Sequence, residues 1–108
     1  MALTRHFRET IQTRAQEDPE YRQALLAEAM NCFLSGEIEI DKSLLRDYIN
    51  ATVGFEALAK AVGKPSKSLH RMLAPTGNPS TKSFFEIVRF LQQNEGVSLE
   101  VSTHHRAA

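Results

Sequence analysis

Apolar residues recur at helical spacing along most of the chain, and short polar or glycine-containing breaks divide them into five or six segments. Leu3, Phe7 and Ile11 form a thin stripe on a charged first segment, suited either to an arm at an interface or to a docking N-terminal helix. Asp18-Pro19-Glu20 is a helix start, with a capping aspartate, proline at the first helical position and an acid near the positive dipole end. Tyr21, Leu25, Ala29 and Phe33 follow on one side, flanked by Leu26 and Met30, until Ser35-Gly36 ends the segment. In the next stretch, GEIEID, Ile38 and Ile40 alternate with acids, which predicts a short extended connector. Asp41 is then expected to cap a third helix with Leu44, Leu45, Tyr48 and Ile49 inward.

The stretch FEALAKAVGKPSKSLHRML, residues 55–73, reads as two short helices around a tight turn. Leu58, Ala59 and Val62 share one face of the first. Gly63 supplies the left-handed residue that ends it, and Lys64-Pro65 resists continuation. Ser66 is the expected N-cap of the second helix, which buries Leu69, Met72 and Leu73 and leaves Lys67, Ser68, His70 and Arg71 outside. Small Ala59, Gly63 and apolar Leu69 have the spacing of a helix-turn-helix, a unit that lays its second helix in the DNA major groove. The same spacing also suits an ordinary helical hairpin with solvated charges.

Beyond it, APTGNPST is a loop, and Ser80 or Thr81 caps a last helix carrying Phe84, Ile87, Val88 and Leu91 inward. Phe85 and Phe90 exceed what one buried face needs, which makes this helix a candidate to face a second subunit. Val97, Leu99 and Val101 alternate, predicting a short edge strand before a frayed end.

Charge sharpens this picture. The chain is neutral overall, with 13 basic and 13 acidic residues, yet the two halves differ. Residues 1–57 hold six Lys/Arg against ten Asp/Glu, a net of −4, and residues 58–108 hold seven against three, a net of +4. No acid occurs from Lys60 to Lys82. Such polarity suits one face for phosphate and another for a protein partner. The 108 residues allow one domain with a modest core. One cysteine, Cys32, precludes an internal disulfide and falls among core positions. No apolar run has membrane-spanning length and no signal core opens the chain, so a cytoplasmic protein without membrane contact is expected.

Catalysis has no foothold. His104 and His105 are adjacent in a polar tail, without the spacing that turns two imidazoles to one metal, and His6 sits on an exposed helix face. GKPSK lacks the glycine spacing and ending of a phosphate loop. Neither an enzyme nor a metal nor a cofactor is expected. Residues near the start of a recognition helix reach bases first, so Lys67, Ser68, His70 and Arg71 are the candidate base readers. The Arg71 fork matches the acceptors of guanine. Lys64, Ser66, Asn78 and Lys82 are candidates for the DNA backbone.

With the loop included, Leu58, Ala59, Gly63, Ser66, Leu69, Gly77, Asn78, Pro79 and Ser80 form a longer pattern. Over about residues 44–101 the chain resembles the Cro/repressor-type helix-turn-helix regulators, and within them the addiction-module antidote branch. The position after the turn glycine, commonly apolar there, is Lys64 here. The resemblance implies an all-α, lambda-repressor-like domain of five helices, here with an extra N-terminal helix. It also implies a homodimer on a palindromic double-stranded DNA operator, and an antitoxin that neutralises a toxin encoded alongside and represses its own operon. The expected organisation is an N-terminal helical arm over 1–40, the helix-turn-helix domain over 41–101 and a disordered tail over 102–108. The alternative is a protein-interaction module with the same fold that binds a toxin or other partner without DNA.

Overall fold

The computed structural model describes residues 2–106. Side chains of residues 2–6 and of Arg8 fall outside the description, and with them the roles expected of Leu3 and His6; so do Ala107 and Ala108 of the expected tail. Six helices and no strand form among the described residues. They are α1 (Ala2–Glu17), α2 (Pro19–Leu34), α3 (Ile38–Ala51), α4 (Phe55–Val62), α5 (Ser66–Met72) and α6 (Thr81–Glu95).

The break between α1 and α2 is a single residue. Asp18 is extended there, and its Oδ1 accepts from the backbone N–H groups of Glu20 and Tyr21 at 3.1 and 3.3 Å, with Pro19 opening the helix as expected. After α2 the chain turns faster than the alternation of Ile38 and Ile40 suggests. Gly36 takes φ +83°, and the Glu37 N–H returns to the Cys32 carbonyl at 2.8 Å. The helix therefore restarts at Ile38, and GEIEID is a corner and a first helical turn, not an extended connector. Asp41 is not the cap. Its own N–H is already bonded to the Glu37 carbonyl at 3.0 Å, which places it inside the hydrogen-bond ladder, fully buried.

Leu25, Leu26 and Ala29 of α2 meet Leu45, Tyr48 and Ile49 of α3, and the same cluster runs through Leu58, Leu69, Leu73, Phe84, Ile87, Val88 and Leu91. The last turns of α1 join it through Ala15, with Ile11 packed alongside. Each fully buried leucine in this set contributes roughly 2 kcal/mol. Phe33 stacks on Phe84 with centroids 4.8 Å apart, and Phe85 meets Phe33 edge-on at 5.9 Å. Cys32 is a core residue, and burial, then the charges of Glu28 and Glu37, push its thiol up.

A polar cluster ties α2, α3 and α6 together. Arg22 donates from Nε to both carboxylate oxygens of Glu95 at 3.0 and 2.8 Å, Tyr48 donates its hydroxyl to the same carboxylate, and Gln23 adds a longer contact at 3.4 Å. Burial alone would raise the Glu95 carboxyl; the hydrogen bonds from Tyr48, Arg22 and Gln23 outweigh it and hold the group below the usual carboxylate range. Tyr48 moves the other way, its phenol pushed up by burial and by the Glu95 bond.

No strand forms at Val97–Val101. Gly96 at φ +74° reverses the chain, and no neighbouring strand is there to pair with it. The Leu99 N–H is taken by the Gln92 side chain at 2.8 Å, and Leu99 packs against the core. No described helix is long and apolar enough to cross a membrane.

Candidate nucleic-acid interface

The turn between α4 and α5 is built as its residues dictate. Gly63 ends α4 at φ +69°, ψ +34°, a left-handed conformation that other residues reach only with strain. The Lys64 N–H then closes on the Ala59 carbonyl at 3.1 Å. Ala59 and Leu58 are buried beneath the crossing, and Leu69 of α5 is fully buried opposite them. The cap of α5 is Pro65, not Ser66. Pro65 is extended at ψ +142°, and its carbonyl accepts from Ser68 and Leu69 at 3.0 and 3.3 Å. Ser66 is thus already the first helical residue, one position too late for its hydroxyl to cap the helix, and it makes no side-chain cap bond.

Lys67, His70 and Arg71 are exposed along α5, with Ser66 and Ser68 half-buried beside them. Leu69 and Leu73 are fully buried, whereas Met72 only borders the core. Among the base-reading candidates His70 is engaged within the fold: its ring stacks on Phe55 at 3.9 Å between centroids, with planes 22° apart. Lys64 leans toward Glu86 of α6, Nζ to carboxylate 3.9 Å, with both groups about a third exposed. An exposed pair of that kind contributes under about 1 kcal/mol and opens readily for a phosphate.

Asn78 and Lys82 are exposed on the loop after α5 and the first turn of α6. Ser80 caps that turn, its Oγ accepting from the Ser83 N–H at 3.1 Å. The loop is held by residues that the local pattern does not mark. Lys42 of α3, itself buried, donates from Nζ to the carbonyl oxygens of Pro75 and Gly77 at 3.1 and 2.8 Å, and Arg46 donates to the Leu73 carbonyl. Gly77 is required for a different reason. A Cβ there would run into the carbonyl oxygens of Arg71 and Met72 at the end of α5. These contacts fix the path from α5 to α6, and so where Asn78 and Lys82 stand relative to Arg71.

Next to this clamp lies Asp41. Both of its carboxylate oxygens are buried without a hydrogen-bond partner. Desolvation pushes its carboxyl up to about 6, against the opposing charge of Lys42.

From Ala57 to Phe85 the chain carries no carboxylate, so turn, α5, loop and first turn of α6 form one acid-free stretch. Its exposed cations are Lys60, Lys67, Arg71 and Lys82, a chemistry that suits phosphate and base edges, with the Glu86 carboxylate at its margin beside Lys64. No protein-family model, no curated protein and no solved structure matches the chain.

Proposed function

We propose that this chain is a sequence-specific DNA-binding regulator of lambda-repressor-like fold, with α5 entering the major groove. The observation that carries this reading is the α4–turn–α5 unit, with Ala59 and Leu69 buried, Gly63 left-handed at the turn, and Lys67 and Arg71 exposed within a stretch of sequence that carries no acid. Arg71 reads a guanine edge, with Lys67 and Ser68 contributing nearer the helix start. Lys64, Ser66, Asn78 and Lys82 hold phosphates. As a homodimer the protein sets its two α5 helices about 34 Å apart, one turn of B-DNA, on a palindromic operator. The likeness to the addiction-module antidote branch supports a further role as an antitoxin that represses its own operon.

Two substitutions test the reading. Arg71→Ala relaxes base preference at one position of each half-site by about 1–3 kcal/mol. Lys82→Ala weakens all sequences alike and lowers the salt slope by about one unit. If both variants bind every duplex as the wild type does, α5 is not the reading helix.

A second reading is a protein-interaction module of the same fold. It is favoured by a groove of about 660 Å³ between α2, α6 and the last residues, lined by Met30, Phe33, Leu34, Phe85, Val88 and Leu99. Co-purification with a small basic protein encoded next to it, with no shift of upstream DNA by either alone or together, identifies that role.

A further inference from the structure

The corner between α2 and α3 leaves its apolar side chains uncovered. Leu34 is 60% exposed, Ile38 40% and Ile40 49%, although each is aliphatic and two of them open a helix. Glu37 and Glu39 stand exposed between them. From Gln23 to Ile40 the chain has three acids, Glu28, Glu37 and Glu39, all exposed, and no Lys or Arg. The corner is therefore an acidic surface with an aliphatic centre, a combination that neither the core nor a DNA contact explains.

Its complement lies on the same chain. Phe7 of α1 is 62% exposed, the most exposed aromatic side chain described. By sequence, residues 1–8 add Arg5, His6 and Arg8 and no acid. α1 is anchored on its own chain farther along, at Ile11 and Ala15, and leaves both Phe7 and the corner uncovered. One surface needs a basic partner with an apolar anchor, and the other offers it.

We infer that the α2–α3 corner is the docking site for the first turns of α1 from a second copy of this chain. Phe7 seats against Leu34, Ile38 and Ile40, and the basic sequence of residues 1–8 supplies the charge opposite to Glu37 and Glu39. Each copy owns one arm and one corner, and in the inferred reciprocal arrangement one pair of copies makes the contact twice about a two-fold axis and closes as a dimer. The zero net charge of the chain lets two copies approach without long-range repulsion. The inference deepens the dimer in the proposed function and rests on that part of it alone, since no DNA is needed for the contact.

Sedimentation of the full chain without DNA tests it. The wild type is expected to form a dimer whose dissociation constant rises at least about tenfold between 50 and 500 mM NaCl. Phe7→Ser and the pair Ile38→Ser/Ile40→Ser, all at exposed positions, each weaken it by at least about tenfold while the helical circular dichroism persists. Charge reversal supplies the decisive arm. Glu37→Lys/Glu39→Lys and Arg5→Glu/Arg8→Glu each lose the dimer alone, and an equimolar mixture recovers it, because both contacts in the mixed pair then join opposite charges. A monomer at all concentrations, a dimer indifferent to Phe7→Ser, or a mixture that fails to recover overturns the inference. A salt-sensitive, Phe7-dependent dimer that shifts no DNA leaves it standing and removes the DNA reading instead.

Discussion

The imidazole of His70 lies almost face to face on the ring of Phe55, centroids 3.9 Å apart and planes 22° from parallel. It joins the start of α4 to the last turn of α5 across the turn at Gly63. The contact sets His70 apart from Arg71, its exposed neighbour on the helix. His70→Ala should therefore lower stability by about 1 kcal/mol in chemical denaturation, with base preference close to wild type. A change in base preference as large as that of Arg71→Ala would show His70 reading bases despite the stack.

Lys42 makes a similar link between α3 and the loop after α5. Its two carbonyl acceptors, those of Pro75 and Gly77, lose this donor once the ammonium is removed. Lys42→Met, which keeps the length of the side chain, should cost roughly 2–3 kcal/mol in urea unfolding, since hydrogen bonds to a charged donor are lost and two carbonyls are stranded. Retained stability would mean that the loop finds water in its place.

At Gly77 the loop passes so close to α5 that there is no room for a methyl group. Gly77→Ala should destabilise the protein by about 1–3 kcal/mol through displaced backbone. Binding to DNA should weaken as well, because the loop that carries Asn78 shifts relative to Arg71. A variant as stable as the wild type would show that the loop moves freely.

Asp41 gives stability an unusual pH dependence. Its carboxyl sits at about 6 in the fold, above its ordinary value of 3.8, so the native state holds the proton more tightly than the unfolded chain. Its contribution is favourable at low pH and is lost as pH rises from about 4 through 6, by roughly 3 kcal/mol at about 1.4 kcal/mol per pH unit. Glu95 acts in the opposite sense, its lowered carboxyl favouring the fold above the ordinary carboxylate range and losing that effect as pH falls through it. Urea unfolding between pH 4.5 and 7.5 should show stability declining with pH in the wild type, and Asp41→Asn should flatten the decline. An unchanged slope in the variant would place the titration elsewhere.

Much of the fold is legible in local sequence, because its signals act over a few residues. Asp18-Pro19 starts α2, Gly63 ends α4 and Ser80 starts α6, each through groups within three or four positions. The misreadings have a common cause. Asp41 looks like a cap and Val97–Val101 like a strand when only neighbours are considered, but Glu37 had already begun the helix and Gln92 had already taken the Leu99 N–H. Lys42 and Arg22 were invisible as structural residues because their partners, Gly77 and Glu95, stand 35 and 73 positions away. Helical spacing alone marks the candidate readers on α5; the stack that engages His70 and the reach of Lys64 toward Glu86 depend on the tertiary arrangement.

The exposed cations on and around α5 are proposed to bind DNA and to read its sequence. Fluorescence anisotropy of the full chain against the duplex upstream of its own reading frame, repeated from 50 to 300 mM NaCl with a scrambled duplex beside it, tests this most directly. Tighter binding to the upstream duplex is expected, with log affinity falling linearly in log salt at about −0.9 per phosphate contact. Absence of binding at the lowest salt, or equal binding to both duplexes at every salt, would contradict it.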